Sequence, residues 1–465
     1  MRPTLTLAIA AALIQISALS SAASEFRSPL LSKIITQPNA VAVADLNGDG
    51  NLDVVVTGGQ CSQNPCNSVA VMLGNGAGSF QAPVLYAAGV RPVAIVTGDF
   101  NGDGYLDLAT ADWGGGGTVG VLLGNGDGTF RSPTLYPVGN EVTSIAMGDF
   151  NRDGRLDLVE TNSLNNNLGV LLGNGDGTFQ APVRYPTGQE PSWVAVADFN
   201  GDLVPDLAVT NFFTESVDIF LGNGDGTFGK ATAYAVGGSS PSSVVTGDFN
   251  GDGTLDLMVG TNSAVAFLSG DGDGTFGRPM IYDAGSDPSF ASAADVNGDG
   301  KLDVIAANVD AWTVTVLLGK GNGTFQPPAS YTAAFSANAV AVGDFNRDGA
   351  PDLAVSVLFN NGVAFLFNNG GTRIQTNSSP NPSQSGQTVT LHAAVQPTYA
   401  NAGAPSGSVT FTEGQTTLGI VKLQSGSAYL PISGLAVGTH TINVQYSGDA
   451  TFNPHLGPPI LQVVN

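Results

Sequence analysis

The sequence predicts an all-β protein: a seven-bladed β-propeller followed by a small Ig-like β-sandwich. Three observations predict it. A nine-residue acidic motif, D-x-N-x-D-x-x-x-D, recurs seven times at a spacing of about fifty residues, the period of one propeller blade. Between copies, short apolar runs alternate with Gly- and Asn-rich turns, and no sustained helical period follows the N-terminal segment. After Thr372 the motif stops, and Ser, Thr, Gln and Pro accompany short alternating runs at 389–391, 408–411 and 441–444, the pattern of a sandwich.

Taken in order, residues 1–23 read as a signal peptide. Arg2 supplies the positive end, Leu5 to Leu19 a short apolar run, and Ser21-Ala22-Ala23 small residues for cleavage. The run is short for a membrane span and no other follows, so the mature chain is expected to lack a transmembrane segment. The expected location is secreted, periplasmic or cell-surface. Cys61 and Cys66 are the only cysteines and lie in one loop, where they fit a small disulfide in an oxidising compartment, two free thiols being the alternative.

Residues 24–372 hold the repeats. In the second, the strand before the acidic loop ends at Ile95-Val96-Thr97-Gly98, and Leu108-Ala109-Thr110 and Val119–Leu123 form the next two. Gly124–Gly128 has the residues of a tight hairpin turn, and Phe130, Pro133 and Tyr136 mark an outer strand, where Pro is tolerated. Four strands per repeat and no other core imply a closed ring. Ala44, Ala146 and Ala195 suit inner strands crowded at its axis. Phe26-Arg27-Ser28-Pro29 matches Phe130-Arg131-Ser132-Pro133, whereas the seventh repeat stops near Thr372 without an outer strand. Residues 25–32 are therefore expected to complete the last blade.

Each acidic loop sets oxygen side chains at positions one, three, five and nine. The candidate metal ligands are Asp45, Asn47, Asp49 and Asp53; Asp99, Asn101, Asp103 and Asp107; Asp149, Asn151, Asp153 and Asp157; Asp198, Asn200, Asp202 and Asp206; Asp248, Asn250, Asp252 and Asp256; Asp295, Asn297, Asp299 and Asp303; and Asp344, Asn346, Asp348 and Asp352. All-oxygen donors at odd positions, with the seventh carbonyl as a fifth, suit calcium, so up to seven calcium ions are expected. An EF-hand would need flanking helices and a Glu at position twelve, and here the flanks read as strand. The loops hold 21 of the 38 acidic residues in a chain of formal charge -23, and such crowding is unfavourable without a counter-ion.

The seven loops make residues 26–372 similar to FG-GAP or VCBS-type repeats, as in the integrin α-subunit propeller. The resemblance implies calcium in the hairpin joining the first two strands of each blade. At the fourth loop the expected Gly is Leu203 and Pro205 precedes Asp206, so a strained or weaker site is expected there. Residues 373–465 resemble a bacterial Ig-like repeat, on Ser379-Pro380-Asn381-Pro382, Gly407–Phe411, Gly438-Thr439-His440 and Tyr446–Asp449. Such modules are spacers or adhesive units, as that resemblance implies.

Antiparallel order puts the acidic loops and the Gly-rich turns on one face, leaving the other to variable loops. There the ligand-face candidates are Asp112, Trp113, Phe212, Phe213, Asp310 and Trp312, beside Asn162, Phe359, Arg91, Glu141, Glu190 and Asp287. Aromatic surface beside carboxylates suits a glycan or an extracellular protein partner. Only 15 Lys and Arg, none clustered, exclude nucleic acid. All three histidines lie beyond residue 372, and no nucleophile or phosphate-loop motif is present, so no catalytic residue or organic cofactor is assigned. The chain is read as a binding or adhesion protein, expected to be a monomer. The alternative is a polysaccharide hydrolase or lyase using carboxylates such as Asp112, Glu141 and Asp310 on the face opposite the calcium loops.

Overall fold

The computed structural model describes residues 26–34, 37–58, 67–333, 336–368, 371–397, 403–449, 452 and 454–465. The expected signal peptide, and Cys61 with Cys66, lie outside these. The described residues form strands and turns, with no helix among them.

Seven antiparallel four-stranded sheets account for the repeats. In blade 2 the order is Pro92–Gly98, Asp107–Asp112, Thr118–Leu122 and Thr134–Pro137, each strand paired with the next. The middle two strands of a blade are buried along nearly their whole length, because both faces are covered by neighbouring blades; they accordingly read as continuous apolar runs. The outer strand is mostly exposed. Inner strands pack in succession around the axis, and that of blade 7, Ala337–Gly343, packs on that of blade 1, Pro38–Ala44.

Blade 7 takes its outer strand from the N-terminal end. Leu30–Lys33 pairs with Gly362–Leu366, Phe26 bridges Asn368, and the Arg27 N–H donates to the Phe367 carbonyl at 2.9 Å. Phe26 is 3% exposed and its ring meets Tyr331 edge-on at 5.2 Å, so the fragment is anchored by packing as well as by pairing.

Two features at the axis tie the inner strands together. Near the start of the inner strand in six blades a polar side chain donates to a backbone carbonyl near the start of the next inner strand: Asn39 to Pro92, Thr143 to Pro191, Ser192 to Pro241, Ser242 to Pro288, Ser289 to Asn338, and Asn338 to Asn39. Val93 is the one residue at this position that has no donor, so the belt is broken between blades 2 and 3. One residue further along, Trp193 of blade 4 and Phe290 of blade 6 meet edge-on at 5.0 Å. These blades are not neighbours, so the two rings fill the axial channel between them.

The C-terminal strands form a three-stranded sheet, Thr372–Ser379, Val389–Pro397 and Ser427–Ile432, and a four-stranded one, Thr416–Lys422, Ser408–Glu413, Gly438–Tyr446 and His455–Val464. Leu391, Ala393, Phe411, Val444 and Tyr446 of the two sheets share one core, as a sandwich requires.

Candidate metal loops and the opposite face

The acidic loops share one hydrogen-bond pattern. In blade 2 the Asp103 N–H donates to Asp99 Oδ1 at 3.2 Å and to Asn101 Oδ1 at 2.9 Å. One N–H serving both oxygens brings the first and third side chains together. The Gly104 N–H donates to Asp99 Oδ2, and the Tyr105 N–H to Asp103 Oδ1, each at 2.9 Å. The shared N–H recurs in the other six loops.

The ninth carboxylate has a task the sequence does not announce. Asp107 Oδ2 accepts the Phe100 N–H at 2.9 Å and Oδ1 the Gly124 N–H at 2.7 Å, so it clamps the acidic loop to the turn between strands three and four. Asp53, Asp157, Asp206, Asp256, Asp303 and Asp352 do the same, the last through the Asn368 N–H. All seven are 0% exposed. Burial pushes each above the usual carboxylate range despite the two N–H donors, Asp256 to about 6, Asp303 to about 7 and Asp352 to about 8.

Among the described residues no three carboxylate, imidazole or thiolate side chains converge as a ready metal cluster. The chemistry of the donor set nonetheless fits a hard cation: four side-chain oxygens in nine residues, no nitrogen or sulfur donor, and a buried carboxylate whose charge has no cationic partner within the loop. In blade 2, Asp99 Oδ2 and Asp103 Oδ1 each accept one N–H and keep a lone pair for a metal, whereas Asp99 Oδ1 accepts two, from Gly102 and Asp103.

The loops differ in detail. Position six is a left-handed glycine in six copies, φ 80 to 91°, and Leu203 in the fourth, at φ 65° and 84% exposed. The loop hydrogen bonds persist there, with the Leu203 N–H on Asp198 Oδ2 at 2.8 Å. The strain expected at that copy is thus a side chain in the left-handed region. At position four, Arg152 and Arg347 stand where the other loops have glycine, both left-handed. Arg152 Nη2 donates to the Asp202 carbonyl of the next blade at 2.9 Å.

On the opposite face the candidates separate. Phe213 is 61% exposed, Trp312 46%, and Asp310 is exposed; Phe212 is half-buried against Phe213, their rings 5.1 Å apart. Trp113 is half-buried under the Arg91 guanidinium, 4.0 Å above its ring. Asp112 is not on the face: it is 0% exposed, its carboxylate accepts the Thr110 and Thr118 hydroxyls, and burial pushes it up to about 7. The loop between blades folds over it, since a Cβ at Gly89 would sit 1.8 Å from Asp112 Oδ2. Asn162 is buried at the same blade position, which Asn211 and Asn308 also occupy. Asp112 therefore leaves both the ligand-face set and the carboxylates of the hydrolase reading.

Sequence reasoning missed Leu164, 58% exposed, which stands on its turn where Phe213 and Phe359, 73% exposed, stand on theirs. Alignment of the turns by repeat would have found it. Arg91, Glu141, Glu190 and Asp287 all have φ between 52 and 56° just before an inner strand, a strained conformation at the mouth of the ring. Burial and then the charge of Asp310 push the Asp287 carboxyl above the usual carboxylate range. Among the described residues no helix is long and apolar enough to cross a membrane.

A bacterial Ig-like domain (group 3) model matches residues 376–465. No curated protein matches the chain. Among solved structures, a functionally unknown protein from Desulfotomaculum acetoxidans aligns over 64% of this chain and 90% of its own, at 13% identity and a TM-score of 0.46. The model for the FG-GAP-like repeat matches in six segments running from residue 45 to 355, which include all seven acidic loops, and by this match over more than half its length the chain belongs to the FG-GAP-like repeat family.

Proposed function

We propose that this chain is an exported, calcium-loaded propeller that binds a glycan or an extracellular protein through the face opposite its acidic loops. The observation that carries the binding reading is the set of exposed apolar side chains on that face, Leu164, Phe213, Trp312 and Phe359, held on short turns that end in a left-handed residue. Large apolar side chains exposed together on rigid turns cost solubility and are a signature of recognition surfaces. Asp310 and the strained Glu141, Glu190 and Asp287 add polar direction around them. Asn, Asp and the seventh carbonyl of each loop would hold the cation, which when bound offsets the buried ninth carboxylate.

Two experiments test this. Chelation by EGTA lowers the melting temperature and calcium restores it, because an ion held only by the folded form stabilises it by mass action; a melting temperature indifferent to both rejects the calcium reading. Labelled protein on glycan and matrix-protein arrays gives a ligand whose binding falls at least tenfold in Phe213→Ala/Trp312→Ala. Full binding by that variant would place the ligand elsewhere.

A further inference from the structure

We propose that the seven loops fall into two affinity classes, with Asp99–Asp107 and Asp248–Asp256 binding calcium tightest and the other five more weakly. This inference rests on the calcium reading above and concerns what the chain itself supplies at each loop.

In four of the five weaker loops a protein cation already faces the carboxylates. Lys301 Nζ lies 3.6 Å from Asp299 Oδ2 in blade 6, and Arg155 Nη1 lies 3.9 Å from Asp153 Oδ2 in blade 3. In blade 1 the cation comes from another blade: Arg347 reaches across the seam, so that a Cβ at Gly50 would sit 2.9 Å from its Nη2. In blade 7 the same Arg347 stands in the loop itself, at position four beside Asp348. The fifth, blade 4, is weakened otherwise. Leu203 is left-handed, and the Arg152 guanidinium of the blade 3 loop, bonded to the Asp202 carbonyl, brings a positive charge beside the loop.

The loops of blades 2 and 5 have none of this. Both have glycine at positions four and six, with Tyr105 and Thr254 at seven, and among the described residues no ion pair reaches Asp103 or Asp252. A unit positive charge about 7 Å from a divalent ion in a water-like dielectric weakens its binding roughly tenfold. Position seven supplies only a carbonyl, so its side chain sets local charge without being a ligand.

The test is calcium titration of the full chain by calorimetry, with terbium luminescence as an independent count. Two ions bind first and the rest follow at roughly tenfold higher concentration. Lys301→Thr moves one site into the tight class, giving three, and Tyr105→Lys removes one, leaving one. Circular dichroism checks that both variants keep the parent fold, and both side chains are partly exposed. Seven equivalent sites, or class counts unchanged in both variants, overturn the ranking while leaving calcium binding intact. No bound ion at all overturns the calcium reading and the ranking with it.

Discussion

Replacing Asp112 by Asn should raise stability at alkaline pH and do little at acid pH. Asp112 is fully buried and its carboxyl, which has no cationic partner, accepts only the hydroxyls of Thr110 and Thr118. Burial raises it to about 7 from 3.8. Below pH 3.8 both folded and unfolded chains hold the proton and it costs nothing. Between 3.8 and about 7 the unfolded chain releases the proton and the folded chain keeps it, so stability falls as pH rises. The slope is about 1.4 kcal/mol per pH unit and levels off above the folded value. From pH 5 to pH 8 the parent should lose about 2–3 kcal/mol that the Asn variant keeps. Asn is the natural occupant of this position in blades 3, 4 and 6, so the amide suits the space. Urea unfolding followed by tryptophan emission is a suitable assay, because Trp113, Trp193 and Trp312 are the only tryptophans and all lie in the propeller. Every other titrating group is common to parent and variant and cancels in the difference. Parallel stability curves for the two proteins across this range would refute the buried-acid assignment.

Three further outcomes follow from packing and backbone geometry. Phe26→Ala empties a site that is 3% exposed and should cost about 3–4 kcal/mol in urea unfolding; a loss below about 1 kcal/mol would mean the N-terminal fragment does not hold blade 7. Leu203→Gly relieves a left-handed side chain that buries almost nothing, and should gain about 0.5–1 kcal/mol after the entropy cost of glycine. A lowered melting temperature would contradict that account. At the axis, Ser192→Ala should cost about 1 kcal/mol by breaking the belt, whereas Val93→Ser, which places a donor at its one gap, should be neutral or stabilising. Equal losses in both variants would show that the belt does not tie the blades.

What was legible in the sequence was what repeats or is local. The fifty-residue period, the Gly-Asn-Gly turns and the fragment Phe26–Pro29 are enough to place the strands, the acidic loops and the N-terminal completion of blade 7, whose regular strand is Leu30–Lys33 with Phe26 already bridging Asn368. Burial of Asp112 was not legible, because it depends on how the preceding inter-blade loop folds over the strand end. The clue was Asn162, Asn211 and Asn308 in the same register: a polar position shared by several blades points inward. The Trp193–Phe290 contact joins residues on non-adjacent blades, and only the width of the ring decides that they meet. The clamp made by the ninth carboxylate was hidden by its suitability as a ligand, since one side chain serves both descriptions.

The outer strand of blade 7 is made before all the blades and can be seated only after their own strands exist. Residues 30–33 have no partner until 362–366 have been synthesised, so this segment must stay unpaired while the blades are made, and blade 7 has an open flank even once its own three strands have formed. Long-range pairings of this kind come late and leave bare edges on which other chains can template. The polar Ser28 and the basic Arg27 and Lys33 in and beside the segment are the residues that would discourage such stray pairing during the wait.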